Sequence, residues 1–379
     1  MQRLRYYTLT LVILLATSLI SSIVFAAPTR DEPRQRSKID LVIALDTSGS
    51  MDGLIDSARQ KIWDIVNDLA TAKPTPMLRV GLISFGNDGY RDEGWTRVDV
   101  GLTQDLDTVY ERLMALRTNG GTEYVGRAIY KARTGMNWDA DKRALKLLFV
   151  AGNESADQDP TFKAIPEAGK AIAQDIIVNT IFCGTSTDRI ASGWRDVAAR
   201  ADGQFASIDQ RRDTVAISTP MDKKLSILSN KLNSTYIAYG THGSASKVRQ
   251  ERVDKEAMAM SEAAGASRAA AKSSALYSNA KWDLIDGIKD SKVSLDDMQP
   301  ADMPAEMKGM SKARRKIYIK EKMAKRMKIQ AEIAALSKKR DAYIRKERSK
   351  NKTHKAAGFD SAIRKTIRKQ ARKKGIILP

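Results

Sequence analysis

The chain of 379 residues contains 65 Lys and Arg, 45 Asp and Glu, two His and one Cys, for a net charge of +20, which is material for one or two buried cores with extensions. With Cys183 alone, no intramolecular disulfide, thiolate zinc knuckle or iron–sulfur cluster can form; His242 and His354 lie far apart in polar stretches, which argues against a multi-histidine metal site or a Ser-His-Asp triad. Residues 305–379 hold 26 Lys or Arg against six Asp or Glu, while the remainder is balanced at 39 against 39, so any affinity for polyanions belongs to that tail.

At the start of the chain, Arg3 and Arg5 precede an apolar run over about 9–25, and the sequence Val24, Phe25, Ala26 offers small residues at the positions a signal peptidase reads before Ala27. This pattern predicts a signal peptide over 1–26, with an uncleaved anchor over about 9–27 as the rival reading, because the run is nearly long enough to span a bilayer. Either one implies export, to a periplasm or cell envelope. No cysteine stands near the cleavage point to carry a lipid. Residues 27–37 are charged, proline-containing and aperiodic, as in a linker.

Beyond the linker, 39–45, 78–85, 145–150 and 176–182 are short, apolar and rich in β-branched residues, which predicts strands covered on both faces. The alternation in 95–102 suits an edge strand, and 205–208 closes the series. Helical periodicity falls between them, over 55–69, 106–116, 124–136, 166–174 and 190–201. The alternation of strand and helix predicts an α/β fold, a doubly wound and mostly parallel sheet.

Downstream, Leu225, Leu228, Leu232, Tyr236 and Tyr239 recur at helical spacing, which predicts a helix over 222–239 within a packing segment 219–243. The stretch 244–304 is rich in Ala and Ser, with few large apolar residues through 280, and reads as a loosely attached helical linker. After Pro300 and Pro304, the tail 305–379 predicts a long basic helix over 310–350 with an imperfect stripe of Ile319, Met323, Met327, Ile333, Leu336 and Ile344, suited to a solvated or self-associating coiled coil. A short helix and a frayed end follow over 352–379.

The chemistry concentrates where the first strand ends, at Asp46, Thr47, Ser48, Gly49 and Ser50. Loops at the carboxyl ends of strands gather ligands in open parallel sheets. One carboxylate and two hydroxyls at alternate positions of a tight turn aim three hard oxygens at one point, which suits Mg²⁺, Mn²⁺ or Ca²⁺ rather than zinc. A second loop, Asn119, Gly120, Gly121 and Thr122, lets the backbone bring the Thr122 hydroxyl toward the first. It lacks the lysine of a phosphate loop. Asp188, Asp196 and Asp202 make no pair at catalytic spacing and read as surface charge; Cys183 and Trp194 read as core.

The DxSxS pattern after a buried strand, the later GGT and the closing ADGQFASID resemble the von Willebrand factor A domain over 38–218. The resemblance implies a metal-ion-dependent adhesion site, with Asp46 as the carboxylate anchor and Ser48, Ser50 and Thr122 as further ligands. The acidic side chain of a protein partner would complete the coordination. One departure stands out: Gly152 occupies the position after the fourth strand where the family usually has aspartate. Asn153 and Glu154 are the neighbouring residues able to supply an oxygen there, directly or through water.

The function implied is that of an exported, non-enzymatic binding or scaffold protein that uses a divalent ion to grip a carboxylate. The alternative is a structural envelope component whose basic helices attach to an anionic polymer or membrane, with a degenerate metal site. Nucleic acid is disfavoured by export, and Tyr318 and Tyr343 are too sparse for a stacking platform. A chelatase-type subunit, also found in the family, works beside cytosolic machinery.

Overall fold

A computed structural model describes residues 36–70, 72, 74–208, 217–350 and 359–378. The expected signal or anchor and nearly all of the linker lie outside the described residues. Among the described residues no helix is long and apolar enough to cross a membrane.

Six strands form one sheet in the order β3-β2-β1-β4-β5-β6: β1 (Lys38–Asp46), β2 (Met77–Phe85), β3 (Thr96–Thr103), β4 (Leu145–Gly152), β5 (Ile176–Phe182) and β6 (Phe205–Ser207). Every neighbouring pair is parallel except β2 and β3. The apolar runs read from the sequence are the central strands, buried on both sides, because successive side chains point to opposite faces. Thus Leu41, Ile43 and Leu45 join one core cluster, and Val42 and Ala44 the other.

The second cluster is covered by α3 (Val125–Gly135), α4 (Ala164–Ile172) and α5 (Ala191–Arg200), with Ile129, Ala168 and Trp194 buried there. The first is covered by α1 (Ile55–Ala70) and α2 (Leu106–Ala115), through Ile62, Trp63, Val66, Val109 and Leu113. Each fully buried Leu, Ile or Val of these layers contributes about 1.5–3 kcal/mol relative to exposure.

The remaining helices extend the first cluster, apart from the shortest, whose Leu284 and Ile285 form a third cluster with Ile237, Met303, Met307 and Ile319. They are α6 (Asp222–Asn233), α7 (Gly243–Met260), α8 (Glu262–Ser273), α9 (Leu284–Lys289), α10 (Lys312–Lys350) and α11 (Phe359–Lys373). Three expectations are corrected here.

First, α6 stops at Asn233 instead of reaching Tyr239. The Ser234 and Thr235 hydroxyls donate to the carbonyls of Lys231 and Leu232, and Ile237 then pairs with the segment around Asp283: its N–H donates to Asp283 Oδ1 at 2.7 Å and its carbonyl accepts from Leu284 N at 2.8 Å.

Second, the Ala- and Ser-rich stretch is not loosely attached. Ala263, Ala264, Ala266, Ala269 and Ala271 of α8 are buried among α1, α6, α7 and α10. Small side chains permit close helix approach, and burying alanine costs no rotamer entropy. The same helix buries Arg268 and Lys272. Arg268 is ion-paired to Asp107 of α2 and, at 3.0 Å, to Asp254 of α7, while Lys272 bonds Asp254 and Asn233.

Third, the tail is anchored to the body at several of its described residues. Met327 is 64 % exposed and Arg326 takes the inward place beside Ile319, Ile329 and Ile333. α10 lies on α6 and α8 of its own chain. Instead of fraying, the end returns to the sheet: Ile363, Ile367, Ile376 and Leu378 are buried, Lys374 pairs with Asp175 at 2.8 Å, and Gln370 Nε2 donates to Asn179 Oδ1 of β5 at 2.9 Å.

Candidate metal centre

The site lies at the carboxyl end of β1, the central strand between β2 and β4, where open sheets bind ligands. Three chain segments converge there. Thr47 ties the β1 loop to β2, its N–H and hydroxyl both donating to the Phe85 carbonyl at 2.7 and 2.9 Å. The GGT loop is clamped on from the other side, Gly49 N donating to Gly120 O at 2.8 Å and Asn119 N to Thr47 O at 2.9 Å. Gly120 has φ +84°, and a side chain there would collide with Asp88. The segment after β4 supplies Asn153, whose Nδ2 donates to the Ser50 carbonyl at 3.1 Å and so turns its Oδ1 toward the Ser50 hydroxyl, 3.0 Å away.

Asp46 is 1 % exposed. Its Oδ1 accepts the Ser48 N–H at 2.8 Å, which ties the turn, but its buried Oδ2 has no hydrogen-bond partner. Ser48 caps no helix with its side chain; its hydroxyl lies 2.9 Å from the Ser50 hydroxyl. A helix cap would therefore account for one oxygen of Asp46 and leave the other, and both serines, unexplained. Burial, and then the charge of Glu123, push the Asp46 carboxyl up to about 8, against the opposing dipoles of Ser48 and the Asn153 backbone N–H.

Glu123 was not singled out by the sequence, where it is one residue past the GGT motif. It is 3 % exposed, with Oε1 3.3 Å from the Ser50 hydroxyl, and Gln158 holds its Oε2 at 3.0 Å. Burial raises its carboxyl, with Glu154 adding to the rise and hydrogen bonds from Ser48, Gln158 and Ser50 opposing it. The only advance signal was a carboxylate adjoining a motif residue. The structure thus brings Asp46, Ser48, Ser50 and Asn153 together and adds Glu123. Thr122 pairs through its backbone with Gly86, and no hydrogen bond links its hydroxyl to these oxygens among the described residues. Glu154 contributes its charge, while its carbonyl accepts from Trp194 Nε1 at 2.7 Å.

The Gly152 departure has a packing reason. A Cβ built there would stand 3.0 Å from the Trp194 ring and 3.1 Å from Asp46 Oδ2. Trp194 is itself fully buried. A side chain at 152 therefore requires Trp194 and Asp46 to give by a few tenths of an ångström.

A family model for the von Willebrand factor type A domain matches residues 40–216. The chain carries a von Willebrand factor A domain. Domains of this family commonly mediate protein–protein binding. Among solved structures the chain is similar to the conserved hypothetical protein BatB from Bacteroides thetaiotaomicron, at 17 % identity and a TM-score of 0.36 over 45 % of this chain and 90 % of that one. It is also similar to a von Willebrand factor type A protein from Catenulispora acidiphila, at 19 % identity and a TM-score of 0.37 over 46 % and 40 % of the two chains. A third likeness is to proximal thread matrix protein 1 of the mussel byssus with a zinc-occupied adhesion-site motif, at 12 % identity and a TM-score of 0.36 over 47 % and 43 %. The chain spans less than half of the last two. No curated protein matches it.

The von Willebrand domain accounts for the sheet and five flanking helices; the helices from α6 onward lie beyond the matched residues. The oxygens at its site fit a hard divalent cation. Asp46 Oδ2, Ser48 Oγ, Ser50 Oγ, Glu123 Oε1 and Asn153 Oδ1 present five oxygens, while the two hydroxyls offer only two protons among them. A cation resolves such an excess of acceptors, and hydroxyl, amide and carboxylate oxygens suit Mg²⁺, Mn²⁺ or Ca²⁺.

Proposed function

We propose that this protein is an exported, non-enzymatic binding protein whose von Willebrand domain holds a divalent cation of the Mg²⁺, Mn²⁺ or Ca²⁺ class and uses it to grip a carboxylate of a protein partner. The observation that carries the reading is the Asp46 carboxylate, buried at the mouth of the sheet with Oδ2 unpaired beside Ser48 and Ser50. Asp46 anchors the ion by charge, the two serines orient toward it, and Asn153, fixed by the Ser50 carbonyl, supports Ser50. The ion supplies Lewis acidity toward the partner's acidic side chain. Export rests on the amino-terminal charge and hydropathy pattern.

The reading is tested by thermal unfolding of the purified protein in millimolar Mg²⁺ or Mn²⁺ and again after chelation. A bound ion raises the transition temperature reversibly with ion concentration; a transition indifferent to both ions and to chelator would remove the reading.

A second reading is favoured by the outward side of α10. Lys320, Lys328, Lys338, Lys339 and Lys346 are exposed and have no ion pair among the described residues. We infer that this face serves attachment to an anionic polymer or membrane. Such attachment weakens steeply with ionic strength and ignores chelator, which separates it from ion-mediated gripping.

A further inference from the structure

Gly152 leaves out a carboxylate on the side of the site formed by the end of β4, where a Cβ would stand 3.0 Å from the Trp194 ring and 3.1 Å from Asp46 Oδ2. The question is what balances a divalent charge in its place. Glu123 is nine-tenths buried and more, approaches from the opposite loop, and comes within 3.3 Å of the Ser50 hydroxyl.

Gly86 measures how closely the groups converge. A Cβ built on it would stand 2.6 Å from Asp46 Oδ1, 3.2 Å from Ser48 Cβ and 3.3 Å from Glu123 Cγ. Three side chains from two loops thus close on one backbone position, and only glycine leaves room for them. Glu123 is also held in place: the Gln158 amide donates to its Oε2 at 3.0 Å and accepts from its N–H at 3.4 Å, so the other oxygen, Oε1, is left facing the serines. No Lys or Arg pairs with Asp46 or Glu123 among the described residues. Two carboxylates buried side by side without a countercharge are costly, and the missing countercharge is what a cation provides.

Building on the metal-centre reading, we propose that Glu123 is the second anionic ligand of the ion in this chain, replacing across the site the carboxylate that the glycine at 152 leaves out. The charge placed around the ion is then two carboxylates, Asp46 and Glu123, with neutral oxygens from Ser48, Ser50 and Asn153. Gln158 is a positioning residue that acts through Glu123.

Calorimetric titration of the protein with Mn²⁺, on wild type, Asp46→Ala, Glu123→Gln and Gln158→Ala, tests the assignment. Glu123→Gln keeps the size and one acceptor oxygen for the Gln158 amide but removes the charge and turns an NH2 toward Ser50; it should weaken Mn²⁺ binding by about 10–100-fold, and Gln158→Ala should weaken it less. Without metal, Glu123→Gln should unfold at the same or a higher temperature than wild type, since it relieves repulsion with Asp46. A merely structural glutamate would give the opposite pattern, lower stability and unchanged affinity. If Asp46→Ala abolishes binding while Glu123→Gln binds like wild type, the ion site stands and the assignment of Glu123 falls. If wild type itself gives no saturable heat, the site reading and this assignment fall together.

Discussion

Arg326, on the long basic helix, forms a two-pronged ion pair with Asp283, Nη1 to Oδ2 at 2.7 Å and Nη2 to Oδ1 at 3.0 Å, and lies over the Tyr236 ring at 4.2 Å. Both charges are buried, Asp283 completely. This contact joins the tail to the segment after α6, because the same guanidinium also donates to the Thr235 carbonyl at 2.8 Å and to Asp286 at 3.0 Å.

Arg326→Met should therefore destabilise the protein by about 3–5 kcal/mol, the cost of leaving a buried carboxylate unpaired. Arg326→Lys should recover little, since an ammonium cannot make the paired geometry. Truncation after Pro304, which an exposed tail would tolerate, should yield a chain that fails to unfold cooperatively, as it uncovers Asp283 and removes Ile329, Ile333, Ile363 and Ile367 from the core. Urea unfolding curves check all three; a truncated body with a sharp, wild-type-like transition would show the tail to be peripheral.

The same cluster sets a pH dependence. Burial, reinforced by Asp283, raises the Asp286 carboxyl to about 6 against the pull of Arg326. A carboxyl that binds its proton more tightly in the folded than in the unfolded chain contributes stability that is fully present below its ordinary value of 3.8 and is lost as pH rises through 6. The wild-type advantage over Asp286→Asn should thus shrink by an amount on the order of 2 kcal/mol between pH 4 and pH 7. Transition temperatures across that range give the answer, and a constant difference between the two proteins would refute the assignment.

A second buried network ties α8 to the sheet layer. Asp254 accepts from Arg268 and Lys272, both within 1 % of complete burial. Asp254→Ala should cost about 3–5 kcal/mol, and adding Lys272→Met should return part of it by removing one of the stranded charges. Strict additivity of the two changes would argue against direct coupling.

At Gly152, even a methyl group meets Trp194 and Asp46 at 3.0–3.2 Å. Gly152→Ala should destabilise by about 1–3 kcal/mol through overpacking, with the loss visible in thermal melts of the metal-free protein. A neutral effect would mean that Trp194 moves easily.

The sheet was legible because β1, β4 and β5 are short apolar runs bounded by glycine, polar turns and amphipathic helices, so period and length agreed. Asp46, Ser48 and Ser50 were legible for a different reason: their spacing on one turn forces proximity. Glu123 was not, since its approach depends on the GGT loop folding back on Gly86 and on Gln158, 35 residues away, holding its carboxylate. The α8 core was missed because alanine signals little by hydropathy while packing closely, and because Arg268 and Lys272 read as surface charge until Asp107 and Asp254 are seen beside them. Arg326 misled for the same reason, displacing the stripe by one residue from Met327.

The central claim is that Asp46 anchors a divalent ion at the end of β1. The most direct measurement is Mn²⁺ titration of wild type and Asp46→Ala, by calorimetry or by the spin-resonance signal of free Mn²⁺, with circular dichroism confirming that both are folded. The account predicts one saturable site in wild type, weakened at least about 100-fold in Asp46→Ala and less in Ser48→Ala. Identical titrations of folded wild type and Asp46→Ala would contradict it.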